Sequence, residues 1–358
     1  MTTKTHLERL QDALKSTDAI LVTSEVNQAW VSDFEFTDGY VLVTKNKAYV
    51  ITDFRYIEAA KAALSDKIEA SMPASMLGEI AEILKSEGIS TVTFEEETLS
   101  VAALAKIEEK LPGATFVSGA SKLIDGLREI KDAKELELMA KAQDIADAAF
   151  AHILKVMTPE MTEIEVALEL EFFMRKNGAS STSFSTIAVS GSASSLPHGV
   201  PRNVKLQKGF FTMDFGAIYK GYCSDMTRTV VLGKADADIK KIYDTVLRAQ
   251  LAGVENARPG ITGRDLDKIA RDIIYAEGYE GCFGHGLGHG VGRYIHEAPR
   301  VSSAAPADKL LAPGHVITCE PGIYIEGKYG CRIEDMVKIE KDGVYNFTHS
   351  TKELIEIY

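Results

Sequence analysis

From residue 133 onward the chain repeats itself at an offset of 100, with Pro159, Thr162 and Gly178 returning as Pro259, Thr262 and Gly278. In each copy a long amphipathic stretch, Ala133–Met157 and then Ala237–Ala257, runs into proline. The threonine that follows caps a second helix, and glycine ends that helix. Thr162 with Glu165 also has the capping-box pattern. Farther on the offset drifts to 105–106, where Gly209-Phe-Phe-Thr-Met-Asp214-Phe-Gly216 is echoed by Gly314-His-Val-Ile-Thr-Cys-Glu320-Pro-Gly322. A second acid then follows in each half, Asp225 or Glu334. Each half therefore reads helix, helix, strand, strand, with one carboxylate on each strand of a pair. Two such halves facing each other bring four carboxylates together; chance likeness between amphipathic segments is the competing reading.

Acids on strands are the informative anomaly. Phe210, Phe211, Met213, Val230, Val231, Val316 and Ile317 make these strands apolar. A carboxylate buried among them is costly unless it is paired or metal-bound. Crowded carboxylates raise one another's pKa, whereas a divalent cation holds them ionised, so Asp214, Asp225, Glu320 and Glu334 point to metal. Histidine is available nearby in the glycine-rich run His285-Gly-Leu-Gly-His289-Gly-Val-Gly-Arg-Tyr-Ile-His296. This run lacks the strand-to-helix context of a nucleotide loop and is not HExxH. The charge balance, 40 Lys+Arg against 52 Asp+Glu for a net −12, argues against nucleic acid and anionic lipid as partners. No segment approaches the roughly 18 uninterrupted apolar residues of a membrane span, and Met1–Leu14 is too mixed to be a targeting signal. The four cysteines form no CxxC pair and leave the first 222 residues bare, which fits reduced thiols in a soluble, cytoplasmic protein.

At 358 residues the chain exceeds one ordinary domain. Its first third alternates expected strands (Ala19–Thr23, Tyr40–Thr44, Ala48–Thr52) with expected helices (Thr5–Lys15, Phe54–Leu64, Ser75–Ser86, Val101–Leu111). Lys45-Asn46-Lys47 joins the last two strands as a hairpin. This is an α/β domain over residues 1–122, with a second domain over residues 123–358.

The run from Lys134 to the C-terminus resembles the pita-bread metallopeptidases, which include aminopeptidase P, prolidase and methionine aminopeptidase. The likeness is carried by the spacing: Asp214, Asp225 11 residues later, His289 64 after that, Glu320 31 on and Glu334 14 on. It implies a pseudo-two-fold α+β catalytic domain behind the α/β N-terminal domain. It also implies two divalent ions, one held by Asp214 and the other by His289 and Glu320, with Asp225 and Glu334 bridging. This oxygen-rich set with one imidazole suits Mn²⁺, with Co²⁺ or Zn²⁺ as alternatives. Within the histidine run, His289 has the family register, because His296 precedes Glu297 seven residues later. His285 lacks that partner and is similar to an extra histidine of aminopeptidase P relatives. His198, in Ser195-Leu-Pro-His198-Gly199, matches a substrate-side histidine, and Arg332 stands two before Glu334. The resemblance makes Glu320 the proton carrier and His198 and His296 donors to the substrate carbonyl. Plainer readings stand beside these: His285 as a loop residue, Arg332 as an ion-pair partner, Cys223 and Cys319 as buried fillers, and Lys131–Lys141 as a solvated helix face.

The N-terminal stretch Tyr40–Thr52 followed by Asp53-Phe-Arg-Tyr56 is similar to the domain that precedes aminopeptidase P and prolidase catalytic domains. Trp30-Val-Ser-Asp-Phe34 departs from the Tyr-Leu-Thr-Gly-Phe common there. This domain implies a homodimer and an Xaa-Pro peptidase acting on peptides with proline at position two. His285 and the compact length put Xaa-Pro aminopeptidase first and Xaa-Pro dipeptidase second. A methionine-type aminopeptidase, or a non-catalytic binding protein on the same fold, is more remote.

Overall fold

The structure, a computed structural model, describes residues 4–15 and 18–358. It divides into two compact units, 1–128 and 129–358. The division falls six residues beyond the expected boundary at residue 122, because Ala120–Arg128 is a helix whose Ala120 and Ile124 are buried in the first unit's core. An approach rich in polar residues reads as a linker in sequence; its apolar positions recur at helical spacing and tie it to the domain before it.

The first unit is a six-stranded sheet of β1 (Asp18–Val22), β2 (Gly39–Thr44), β3 (Ala48–Thr52), β4 (Ile68–Ser71), β5 (Thr91–Phe94) and β6 (Thr115–Ser118), in the order β4-β3-β2-β1-β5-β6. The expected β2–β3 hairpin forms, with Val43 opposite Ala48. In β1, Ile20 and Val22 face one helix-covered core while Ala19 and Leu21 face the other, the period-two alternation of a strand buried on both sides. The four expected helices form as His6–Asp12, Ile57–Ala63, Met76–Glu87 and Val101–Lys110. The β4, β5 and β6 strands and the helix Glu25–Ser32 are additions that the pattern of this stretch does not single out.

The second unit carries the repeat. Helices Ala133–Val156 and Glu163–Lys176 correspond to Ala237–Asn256 and Gly263–Ala276. Thr162 accepts from the Glu165 N–H and Thr262 from the Asp265 N–H, while Gly178 and Gly278 take φ of 107° and 89°. The two threonines even make equivalent bridges, to Lys205 and to Leu310. Each helix pair packs on its own sheet: one of strands Ile187–Ser190, Gly209–Phe215, Met226–Leu232 and Glu356–Ile357, the other of Gly288–Gly290, Glu297–Val301, Val316–Cys319, Asp335–Glu340 and Gly343–Asn346. This is the pseudo-two-fold pita-bread arrangement. The hydrogen bond from Glu334 N to Thr227 O (3.1 Å) laces the two halves together.

One detail differs from the reading of one acid on each strand. Asp214 lies within a strand, but Asp225, Glu320 and Glu334 occupy two-residue breaks between strands, 224–225, 320–321 and 333–334. Inside a ladder, side chains must alternate between faces; at a break the backbone is free to turn an acid toward the shared cavity. The stretch Lys131–Lys141 is also only in part a solvated face. Lys134, Glu137 and Lys141 are exposed, whereas Lys131 and Glu135 are buried. No helix among the described residues is long and apolar enough to cross a membrane.

Candidate active site

Asp214, pairing with Thr227 across its strand, is brought beside Asp225, Glu334 and Glu320 at the floor of a cavity of about 1020 Å³. Asp214, Asp225 and Glu334 are buried, and Glu320 is largely so. Asp225, His289 and Glu334 each place a ligand atom within 4.8 Å of the others. His289 Nε2 lies 3.5 Å from Asp225 Oδ2 and 3.4 Å from Glu320 Oε1. Its other nitrogen, Nδ1, is 3.0 Å from the Gly290 carbonyl. Only a protonated Nδ1 can donate there, which leaves Nε2 as a lone pair aimed at the acids. Gly288 and Gly290 make this placement possible, because a Cβ on either would meet the Thr318 or Ala298 carbonyl oxygen at 2.1 or 2.2 Å.

His285 sits differently. Its Nδ1 is 2.8 Å from the Gly286 carbonyl and its Nε2 2.9 Å from the Tyr324 hydroxyl, so both nitrogens are engaged, with Glu320 Oε2 farther off at 3.9 Å from Nδ1. His296 stacks edge-on against His289 at 4.3 Å between ring centroids, and like His198 it is exposed on the cavity wall. Arg332 is buried at the centre of the polar network. It donates to Asp214 Oδ2 (2.6 Å), the Tyr324 hydroxyl (2.7 Å), Thr227 Oγ1 (3.0 Å) and the Pro197 carbonyl (3.2 Å). Thr227 in turn donates to Glu334 Oε2 at 2.7 Å. Cys223 and Cys319 are buried, as fillers would be, and neither is in a disulfide.

The electrostatics follow from this crowding. Burial, then the neighbouring carboxylates Glu334 and Asp214, pushes the Asp225 carboxyl well above its ordinary range. Burial, then Glu320 and Asp214, does the same to Glu334. Burial also pushes Glu320 up to about 8, against the pull of Arg332. The rings of His285 and His289 are lowered to about 4, chiefly by burial, so both are neutral near pH 7. Four acids thus face one buried arginine, and Asp214 Oδ1 is buried without a hydrogen-bond partner among the described residues. A cluster of this kind is short of positive charge. Its donors, carboxylate oxygens with one neutral imidazole, fit hard or borderline divalent cations.

The second unit matches the model of metallopeptidase family M24 over residues 137–341, and the first matches that of the creatinase/prolidase N-terminal domain over residues 6–130. The chain belongs to metallopeptidase family M24. Among M24 relatives it is 38% identical to the Xaa-Pro dipeptidase of Pyrococcus horikoshii, over 95% of each chain. It is similar to the solved Xaa-Pro dipeptidase of Bacillus anthracis at 44% identity and a TM-score of 0.93, covering 98% of this chain and 99% of that one. Similarity to the solved X-Pro aminopeptidase of Thermotoga maritima is 32% with a TM-score of 0.92, over 97% and 100%. Membership of M24 makes the chain a metallopeptidase that uses divalent metal ions.

Several residues of the M24 site are legible only in three dimensions. Tyr324 joins His285 to Arg332, and Thr227 joins Arg332 to Glu334. Thr227 carries a faint signal, two residues after Asp225; Tyr324 carries none. The cavity wall adds two further arginines. Arg271 is spent on Asp267 and on the carbonyls of Phe283 and His285. Arg300, four residues after His296, is exposed on that wall and is not ion-paired among the described residues.

Proposed function

We propose that the chain is an Xaa-Pro dipeptidase, a prolidase, rather than the Xaa-Pro aminopeptidase that the sequence placed first. The observation that carries this reading is Arg300, a guanidinium without an acid partner on the wall of a cavity whose floor is acidic. A dipeptide presents its terminal carboxylate one residue beyond the scissile bond, and a planar guanidinium matches that group two-pronged. A longer peptide has an uncharged amide there. The named dipeptidase relatives support the same choice, and the engagement of His285 with Tyr324 removes the weight that His285 lent to an aminopeptidase. A methionine-type enzyme is disfavoured by the N-terminal domain, and a non-catalytic protein by the full set of acids.

Asp214, Asp225, His289, Glu320 and Glu334 would hold two divalent ions, with Asp225 and Glu334 shared, and the donor set favours Mn²⁺ over Co²⁺ or Zn²⁺. When bound, the ions supply an activated water and polarise the scissile carbonyl. Arg332 orients Asp214 by donating to its Oδ2. Glu320, on the cavity floor 3.4 Å from His289, carries the proton from the attacking water to the leaving nitrogen. His198 and His296 donate to the carbonyl oxygen as it gains charge. Phe184, Ile187, Pro197, Val200 and Ile295 line an apolar wall for the proline ring. The proline amide has no N–H to give, so recognition rests on shape. We place this activity in a homodimer in the cytoplasm; the cysteines, none of them in a disulfide, accord with a reducing compartment.

The test compares Mn²⁺-loaded enzyme on Ala-Pro, Ala-Pro-Ala and Ala-Ala, with light scattering for the dimer. Ala-Pro is expected to be cleaved fastest, and Arg300→Leu to raise KM for Ala-Pro by about tenfold or more, the loss of one charge-assisted contact. Preference for Ala-Pro-Ala returns the aminopeptidase, and equal cleavage of Ala-Ala sinks proline specificity.

A further inference from the structure

Lys131 lies between the stretches matched by the two family models, and its side chain is only 1% exposed. An ammonium so deeply buried needs a partner. Its Nζ stands 2.6 Å from Glu297 Oε1 and 3.4 Å from the Glu129 carbonyl, while its backbone N–H donates to the Gly314 carbonyl at 3.0 Å. The lysine is thus held at both ends.

Glu297 is the residue after His296, and its carboxylate is the object around which the preceding loop turns. Oε2 accepts from the Tyr294 N–H at 3.3 Å. Gly292 lies so close that a Cβ there would meet Oε1 at 2.3 Å. Gly292 is itself pinned, donating to the Tyr294 carbonyl (3.1 Å) and accepting from the Cys223 N–H (2.8 Å). The segment from Gly292 to His296 is therefore wrapped on one carboxylate, and the Lys131 ammonium holds that carboxylate at 2.6 Å. His296, exposed on the cavity wall and without a hydrogen-bond partner among the described residues to aim it, takes its position from this wrapping.

We propose that Lys131 is a positioning residue for His296, holding Glu297 so that the Gly292–His296 loop presents the imidazole to the cavity. The inference rests on the reading of His296 as a donor to the substrate carbonyl. Since a misplacement of about 1 Å can cost about 10²-fold in rate, Lys131→Met is expected to lower kcat about 10- to 100-fold, with KM changed less than about threefold. Metal content stays that of the wild type. Lys131→Arg, which keeps the charge but alters its reach, gives a smaller loss of the same kind.

The deciding measurement is a double-mutant cycle in the Mn²⁺-loaded full-length enzyme, using Ala-Pro. With His296→Ala already present, Lys131→Met should change kcat by less than about twofold, because the group it positions is gone. An equal loss in both backgrounds, or a loss of bound metal, overturns the proposal and leaves Lys131 a general structural tie. If Lys131→Met does not fold, Lys131→Arg carries the same cycle. If the wild-type enzyme cleaves no Xaa-Pro substrate, the functional reading fails separately. The positioning is then decided by the ring signals of ¹³C-labelled histidine in Zn²⁺-loaded protein. Movement of the His296 signals with His285 unmoved in Lys131→Met upholds it, and unmoved His296 signals refute it.

Discussion

Removing the metal should make the stability of the catalytic unit fall with rising pH, against the usual expectation for a protein rich in paired acids. Burial and mutual repulsion hold the Asp225, Glu334 and Glu320 carboxyls above their ordinary range, Glu320 up to about 8. Without metal the folded state keeps protons that the unfolded chain has released. Stability is then greatest at low pH and is lost as the pH climbs toward the folded-state values. The histidines act in the opposite sense. His285 and His289, lowered to about 4 by burial, are neutral in the fold, so stability rises with pH until the unfolded histidines lose their protons near about 6.5. Above about pH 7 only the carboxyls remain. Each retained proton costs about 1.4 kcal/mol per pH unit. For Glu320, titrating at about 8, the step from pH 7 to 8 removes about 1 kcal/mol, and Asp225 and Glu334 act in the same direction. A unit of about 230 residues unfolds with an entropy of about 0.5 kcal/mol per degree, so Tm should fall by about 2 °C or more across that step. Differential scanning calorimetry of chelated protein reads this directly. Metal-loaded protein should show no such fall, because the ions hold the acids ionised. A chelated protein whose Tm stays level within a degree from pH 7 to 8 would mean that the four acids are not crowded as described, and the reasoning would fail.

The histidine register is checked by elemental analysis at matched metal concentration: His289→Ala should lose about one ion per chain and most activity, while His285→Ala, whose nitrogens face Gly286 and Tyr324, should keep its metal. The reverse result shifts the ligand by four residues. Next to Glu334, Asp335 is fully buried, and although burial alone would raise its pKa, Arg228 (2.8 Å) and Lys352 hold it below the ordinary value. A depressed acid stabilises above its unfolded pKa and loses that contribution as pH falls through the folded one, so Asp335→Asn should cost about 3–5 kcal/mol at pH 7 and less at pH 3.5 by urea denaturation. An equal cost at both pH values would contradict the pairing.

What the sequence determined by itself is the part written in local periodicity and in spacing. The paired helices, their Thr162 and Thr262 caps and their glycine stops depend on residues within a few positions of one another, so the offset of 100 is readable without knowing how the halves meet. The four acids from Asp214 to Glu334 stand out for the same reason, carboxylates set in apolar stretches being a local anomaly, whereas His289 joins them only through the spacing of the family resemblance. The tertiary structure decided what depends on chain segments far apart. Arg332 spans to Asp214, 118 positions away, and Lys131 to Glu297, 166 away. In sequence Lys131 is one more charge in a charged stretch. Its burial is set by a strand from the far half of the unit, and a buried ammonium is held in place by its partner's charge, which no pattern around residue 131 discloses. The choice between His285 and His289 draws on both sources: the spacing to His296 singles out one histidine, and the fold engages the other with a tyrosine.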